Sequence, residues 1–279
     1  KEFEQMQGMM KKMKGGGRVI DAQRNLDERR DVLIEGDRIV GVDKPAAFTG
    51  VEGAEKINAK GCLVVPGLVD VHVHLRDPGQ EWKETIQTGT VAAVAGGFTT
   101  VCCMPNTHPA NDSASVTRYI LQRAQAVGAC RVLPIGAITM NREGKALAPM
   151  LELREEGCVA FSDDGTGVVN SQIMRRALEY SLMLDTVLAV HEEDPALCEG
   201  GSMNESALSV KMGLRGMHEA AENVMIARDI ELARLTGARV HFCHVSTARG
   251  ALLVKRAKED GIPVTAEIMP HHFAADESE

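Results

Sequence analysis

His72 and His74 stand one residue apart in Asp70-Val71-His72-Val73-His74-Leu75-Arg76-Asp77-Pro78-Gly79, just after the apolar run Leu63 to Val69. Alternate side chains of an extended segment share a face, so both imidazoles leave the strand together while Val73 points away. Two neutral imidazoles so placed can hold one borderline divalent cation such as zinc and leave other coordination positions open. Most isolated H-x-H pairs belong to ordinary half-buried strands, but this one closes an apolar run and has partners at the ends of later ones. Ser162-Asp163-Asp164-Gly165, His191-Glu192-Glu193-Asp194 and His241-Phe242-Cys243-His244 each end such a run. Imidazoles and a carboxylate converging from separate strands suit one metal ion, or two if a carboxylate bridges them. Such ions lower the pKa of bound water and polarise a carbonyl, which points to hydrolysis at an amide-like carbon or its reverse.

From Gly67 onward strands and helices alternate. The pattern predicts strands near Leu68–His74, Thr99–Pro105, Arg131–Ile138, Val159–Asp164, Thr186–Glu192, Arg239–Val245 and Val264–Met269. It predicts helices near Thr85–Ala95, Ser115–Val127, Ala146–Glu156, Ser171–Leu184, Ala220–Thr236 and Ala248–Asp260, with glycine at many exits. Repeated strand-helix units need right-handed crossovers and a parallel sheet. Polar residues recurring at the C-terminal ends of nonconsecutive strands favour a closed barrel over an open sheet. Seven strands are visible where a barrel of this kind has eight, so the expectation is an α/β fold, an incomplete (β/α)8 barrel over residues 66–279, with the chain truncated before its last strand. Upstream, residues 15–65 read as a small β domain with strands Arg18–Ile20, Asp31–Glu35 and Arg38–Val42 and a turn at Gly36-Asp37. Residues 1–14 are Met-rich, with Phe3, Met6, Met10 and Met13 on one helical face, and are expected to be an extension outside the fold.

The formal charge of -8 gives no footprint for nucleic acid or an anionic membrane, and 44% hydrophobic residues suffice for a packed core. No apolar stretch is long enough to cross a bilayer or to act as a secretion signal, so a cytoplasmic location is expected. The seven cysteines show no paired C-x-x-C spacing, and Cys102-Cys103 lie within a strand pattern as reduced core thiols. Gly15-Gly16-Gly17 lacks the Lys-Ser/Thr ending of a phosphate loop.

Together, Pro66 to Gly79, Met104-Pro105-Asn106-Thr107, Phe161-Ser162-Asp163-Asp164-Gly165, His244-Val245-Ser246-Thr247-Ala248 and Pro270-His271-His272 resemble dihydroorotase of the amidohydrolase superfamily. The resemblance runs from about Met13 to the end of the chain. It implies that His72 and His74 hold a first zinc ion, that Asp164 bridges, and that His191 and His244 hold a second. It further implies that Arg76 and Asn106 bind the substrate carboxylate. Many relatives bridge with a carboxylated lysine, but no lysine lies between Lys145 and Lys211, which fits the branch that uses aspartate. The expected reaction interconverts N-carbamoyl-L-aspartate and L-dihydroorotate in pyrimidine biosynthesis by attack of a metal-activated hydroxide on the ring amide. The family's catalytic aspartate belongs to strand eight and has no counterpart here, so this chain is expected to be impaired or inactive. Rival readings are a hydantoinase or allantoinase and a non-catalytic scaffold for aspartate transcarbamoylase; a homodimer is a further expected partnership. Asp163 is the competing carboxylate beside Asp164. His241, an odd number of residues from His244, is assigned to the opposite strand face and a structural role, and His271 and His272 to packing or capping.

Overall fold

The structure, a computed structural model, describes residues 11–14, 17–21 and 25–275. The chain divides into two units, one ending at Gly67 and the other beginning at Leu68.

The first unit is a sheet of β1 (Lys11–Lys14), β2 (Gly17–Asp21), β3 (Leu26–Glu35), β4 (Arg38–Asp43), β5 (Glu55–Asn58) and β6 (Leu63–Val64). The order is β5-β1-β3-β2-β6, with β4 also on β3. The β3–β4 hairpin closes through the expected turn, where Gly36 takes φ 60 and Glu35 faces Arg38. One expectation is corrected. Lys11–Lys14, placed outside the fold as part of a helical segment, forms a strand paired with β5 and β3. A lone helical turn is costly to nucleate, whereas a strand edge supplies main-chain partners at once. Residues 1–10, with Phe3, Met6 and Met10, lie outside the described residues.

The second unit holds the parallel strands β7 (Leu68–Val73), β8 (Phe98–Cys103), β9 (Arg131–Gly136), β10 (Ala160–Phe161) and β11 (Val187–Val190). An excursion with the short strands β12 (Met203–Asn204) and β13 (Gly216–Met217) precedes β14 (Arg239–Phe242) and β15 (Val264–Ala266). The main sheet has seven strands in the order β15-β14-β11-β10-β9-β8-β7. It is the expected incomplete (β/α)8 barrel. The intervening helices are α1 (Ile86–Ala95), α2 (Ala114–Val127), α3 (Met150–Glu156) and α4 (Ser171–Met183), then α5 (Pro195–Cys198) and α6 (Ala207–Met212) in the excursion. They continue with α7 (Ala220–Thr236), α8 (Ala248–Glu259) and the short α9 (His271–Ala274).

Strand alternation sorts the core into two layers. Phe161, Leu188, Val190, Val240 and Phe242 pack outward among Met174 and Leu178 of α4 and Ile226 and Ile230 of α7. Cys102, Met104, Ile135, Ala160, Ala189 and Cys243 form the inner layer. Small and medium side chains there leave room above them for polar groups. β7 is an edge strand rather than a buried one: Val69 is 56% and Val71 45% exposed, because the strand pairs only with β8 among the described residues.

The main sheet's strands run shorter than their sequence patterns. All seven stop short of their predicted C-terminal residues by one to three positions, β7 stopping at Val73 before His74. The polar residues thus sit on turns just past the ladder, where the backbone can re-aim. Helix α3 starts at Met150 rather than Ala146, because Pro149 lacks the N–H that a helix interior needs and Ala148 N instead bonds Ile138 O at 2.9 Å. The excursion had no sequence signal, its strands being two residues each.

Cys102, Cys103, Cys158 and Cys243 are buried, Cys130 and Cys198 half-buried and Cys62 exposed. Burial pushes the Cys103 thiol up to about 12 and Cys158 up to about 11, far from the thiolate form that reacts. With an aromatic disulfide reagent near neutral pH, Cys62 is therefore expected to react fast, and the four buried thiols only after denaturant. Rapid labelling of Cys103 in the native chain would contradict this packing.

Candidate metal centre

Asp164 is the hub of the site. It is 3% exposed, two residues past the Phe161–Ser162 junction where β10 ends. Its Oδ1 lies 3.4 Å from His72 Nε2, 3.4 Å from His244 Nε2 and 3.6 Å from His191 Nδ1. Its Oδ2 lies 3.6 Å from His74 Nε2. The neighbouring Asp163 turns the other way and accepts from the main-chain N–H groups of Ile138 (2.8 Å) and Thr139 (3.0 Å) and from the Thr139 hydroxyl. One aspartate therefore faces four histidines while its neighbour ties down the turn after β9.

Each histidine is positioned by the end of a strand. His72 is the penultimate residue of β7 and His74 lies one residue beyond its end at Val73, both on the inner face. His191 follows β11 directly. His244 lies two residues past β14 and takes a left-handed φ of 39. That backbone turn overrides strand alternation and brings His244 to Asp164, while His241, on the inner face of β14 itself, is not remote from the site either. Its Nε2 lies 3.3 Å from Oε2 of Glu267, and the other Glu267 oxygen lies 2.6 Å from His72 Nδ1. The expected opposite-face, purely structural assignment of His241 is corrected on this point, because alternation ceases where β14 ends.

The donor set fits a metal. Two ligands held about 2.0–2.1 Å from one tetrahedral ion are separated by roughly 3.4 Å, and the histidine–Asp164 separations of 3.4–3.6 Å match this. His72, Asp164 and His244 form a compact triad with donor atoms within 4.8 Å of one another. His74 and His191 flank it. The second ring nitrogens settle which nitrogen is offered: His72 Nδ1–H donates to Glu267, and His74 Nδ1–H donates to Asn106 Oδ1 at 2.9 Å. Both rings are then left with a bare Nε2 facing Asp164, the arrangement that metal-binding histidines adopt.

Electrostatics point the same way. Burial opposes ionisation of Asp164, but His191, His244 and His72 overcome it and hold the carboxyl far below the usual range. Burial likewise lowers His72, yet Asp164, Cys243 and Glu267 raise it to about 12. Burial lowers His74, favouring the neutral ring that a cation requires. The cavity concentrates negative charge around His72, and a proton or a metal ion satisfies it.

The remaining expected residues fall around this hub. Asn106, 6% exposed, donates Nδ2 to Asp164 Oδ2 at 3.0 Å, leaving one amide N–H uncommitted. Arg76 donates Nη1 to Asn106 O at 3.3 Å. Its loop depends on Gly79, at φ 89, where a β-carbon would lie 1.8 Å from His108 O. His272 Nε2 meets Ser246 Oγ at 3.3 Å and its ring meets His271 edge to face with centroids 4.3 Å apart. Glu192 is buried beside His191, and burial followed by the Asp229 charge raises its carboxyl well above the ordinary value. A cavity of about 290 Å³ adjoins His191 and His244 and is lined also by Asn204, His218 and Glu222. Sequence reasoning missed Glu267, an acid three residues before Pro270 within a predicted strand, and Arg142, which donates to Asp164 O at 2.5 Å.

Comparison with known proteins follows this geometry. The chain is 52% identical over 264 residues to a dihydroorotase of Syntrophobacter fumaroxidans, covering 92% of this chain and 59% of the relative. It is 48% identical over 264 residues to a dihydroorotase of Syntrophus aciditrophicus, covering 95% and 62%. The chain thus spans about three-fifths of these relatives' length. In fold it is similar to an L-hydantoinase (dihydropyrimidinase) from Arthrobacter aurescens, with TM-score 0.79, 20% identity, and coverage of 97% of this chain and 60% of that one. A dihydropyrimidinase from Brevibacillus agri aligns with TM-score 0.76, 24% identity, and coverage of 96% and 59%. Residues 61–250, which carry the H-x-H pair, Asp164, His191 and His244, match the family described as dihydro-orotase-like, and to that family the chain belongs.

Proposed function

We propose that the protein is a metal-dependent dihydroorotase, interconverting N-carbamoyl-L-aspartate and L-dihydroorotate in pyrimidine biosynthesis. One observation carries the reading: four histidines from three strand ends surround the two oxygens of one buried aspartate. His72, His74, Asp164, His191 and His244 would hold one or two divalent cations, zinc by the chemistry of the donors. A bound cation would supply an activated water and a polarised carbonyl.

The chain's own residues do the rest. Asp164 is kept ionised by His191, His244 and His72, so it would be available as a ligand across the neutral range. Glu267 and Asn106 hold His72 and His74 in one tautomer each. Arg76 and the uncommitted N–H of Asn106 offer charge-assisted hydrogen bonds to a substrate carboxylate, which would orient the ring amide toward Asp164.

Metal content and dihydroorotate turnover should be measured together, on this chain and on a version continued to the relatives' length. Stoichiometric zinc with turnover in the continued version supports the reading. A folded continued version that binds no metal and turns over nothing would refute it.

A further inference from the structure

Two arginines border the hub and, among the described residues, neither is paired with a carboxylate in a salt bridge. Arg76 is anchored on the main-chain oxygen of Asn106 at 3.3 Å and Arg142 on that of Asp164 at 2.5 Å. Asn106 and Asp164 are themselves joined side chain to side chain at 3.0 Å. Among the described residues these carbonyls are the hydrogen-bond partners of the two guanidinium groups, and Arg142 Nε is shielded from solvent with no partner at all. Arg228, also half-buried, shows the usual solution: a two-pronged pair with Asp229 at 2.7 and 2.9 Å.

An uncompensated guanidinium is costly to bury. Burial holds Arg142 below its usual range and the Arg76 charge adds to this, against the pull of Asp163 and Asp164. Arginine does not relieve such a penalty by losing its proton, so the cost persists until an anion arrives.

The backbone keeps Arg142 there deliberately. Asn141 and Arg142 take left-handed φ values of 53 and 57, and Arg76 takes 59, conformations that cost residues other than glycine free energy unless their surroundings enforce them. Here Asp112 Oδ2 accepts from Asn141 N at 2.7 Å, and the Thr166 hydroxyl donates to Arg142 O at 3.0 Å. Gly165 lies between the donors: a β-carbon on it would touch both, 3.7 Å from Arg142 Nη1 and 3.8 Å from Asn106 Nδ2.

We propose that Arg142 is a second cationic anchor which, with Arg76 and Asn106, makes this site select a carboxylate-bearing cyclic amide and its ring-opened dicarboxylate over neutral rings of similar size. The proposal rests on the cyclic-amidohydrolase reading above and adds the residue that sets its charge preference.

The test is calorimetric titration of the zinc-loaded chain with succinate, dihydroorotate and the neutral ring dihydrouracil. Arg142→Met is expected to weaken succinate and dihydroorotate about 10–50-fold, the loss of one charge-assisted contact, while dihydrouracil changes less than twofold. Arg142→Lys should recover part of the loss, and unchanged zinc content and melting temperature would exclude a folding defect. Unchanged succinate and dihydroorotate affinities in Arg142→Met, an equal loss for dihydrouracil, or no succinate binding by the unmodified chain would each overturn the proposal. Dihydrouracil bound as tightly as dihydroorotate by the unmodified chain would also overturn the selectivity, whereas Arg142-dependent dihydroorotate binding with no turnover in a version continued to the relatives' length would retire the dihydroorotase reading alone and leave the anchor in place.

Discussion

Asp164→Ala is expected to lower divalent-metal affinity, and with it any cyclic-amide hydrolysis, by at least about 1,000-fold. Asp164 is the one side chain that faces all four histidines, and both of its oxygens are engaged. Its removal would take away a proposed ligand and also the negative charge that would oppose repulsion between cations, or between a cation and a protonated imidazole. The neighbouring Asp163→Ala is the informative contrast. Among the described residues Asp163 makes no hydrogen bond or ion pair with the histidines and instead accepts three hydrogen bonds from Ile138 and Thr139. It should cost about 3 kcal/mol of stability with metal affinity nearly intact. Metal titration and denaturant unfolding of both variants separate the two roles, and equal metal loss in both would show that the hub has been misassigned.

Glu267→Gln is expected to weaken metal affinity about 10–100-fold, as removal of the partner behind a histidine ligand generally does. The carboxylate spans His72 Nδ1 at 2.6 Å and His241 Nε2 at 3.3 Å. Burial works against its charge, but His241 and then His72 hold it down at about 2, so it is ionised throughout the neutral range. A neutral amide keeps the shape and loses one of the groups that, after Asp164 and Cys243, raise His72, and with it the carboxylate that fixes its tautomer. Nitrogen-resolved NMR of the His72 ring in the zinc-loaded protein should show Nδ1 protonated in the unmodified chain and a mixed or altered pattern in Glu267→Gln. Unchanged affinity together with an unchanged tautomer would remove Glu267 from the site.

Individual residues show how far local pattern reaches. Alternation along β7 was enough to pair His72 with His74, because the strand remains regular through Val73 and side-chain direction follows from local geometry. The helix boundaries were legible wherever a cap residue marks them: Thr85 caps α1 with Thr88 in a reciprocal pair, and Gly237 ends α7 at φ 75. Alternation failed at His244, where the strand has ended and a left-handed residue re-aims the ring. It failed also for His241, whose partner Glu267 lies one residue past the end of the next strand, β14 and β15 pairing in parallel with His241 opposite Thr265.

By itself, then, the sequence determined the alternation of strands and helices, the incomplete barrel, the H-x-H pair and the set of polar strand ends from which a metal site could be drawn. These depend on periodicity, capping and chain order, which are short-range properties. Local pattern left Asp163 and Asp164 equivalent and resemblance favoured Asp164; in the tertiary structure it is Asp164 that faces the histidines, and that structure alone decided that Glu267 stands behind His72 and that Arg142 lies near Arg76 with no salt-bridge partner among the described residues. Those relations join residues 22 to 195 positions apart, and the free energy of placing a charge depends on the groups that surround it in space, which no local pattern records.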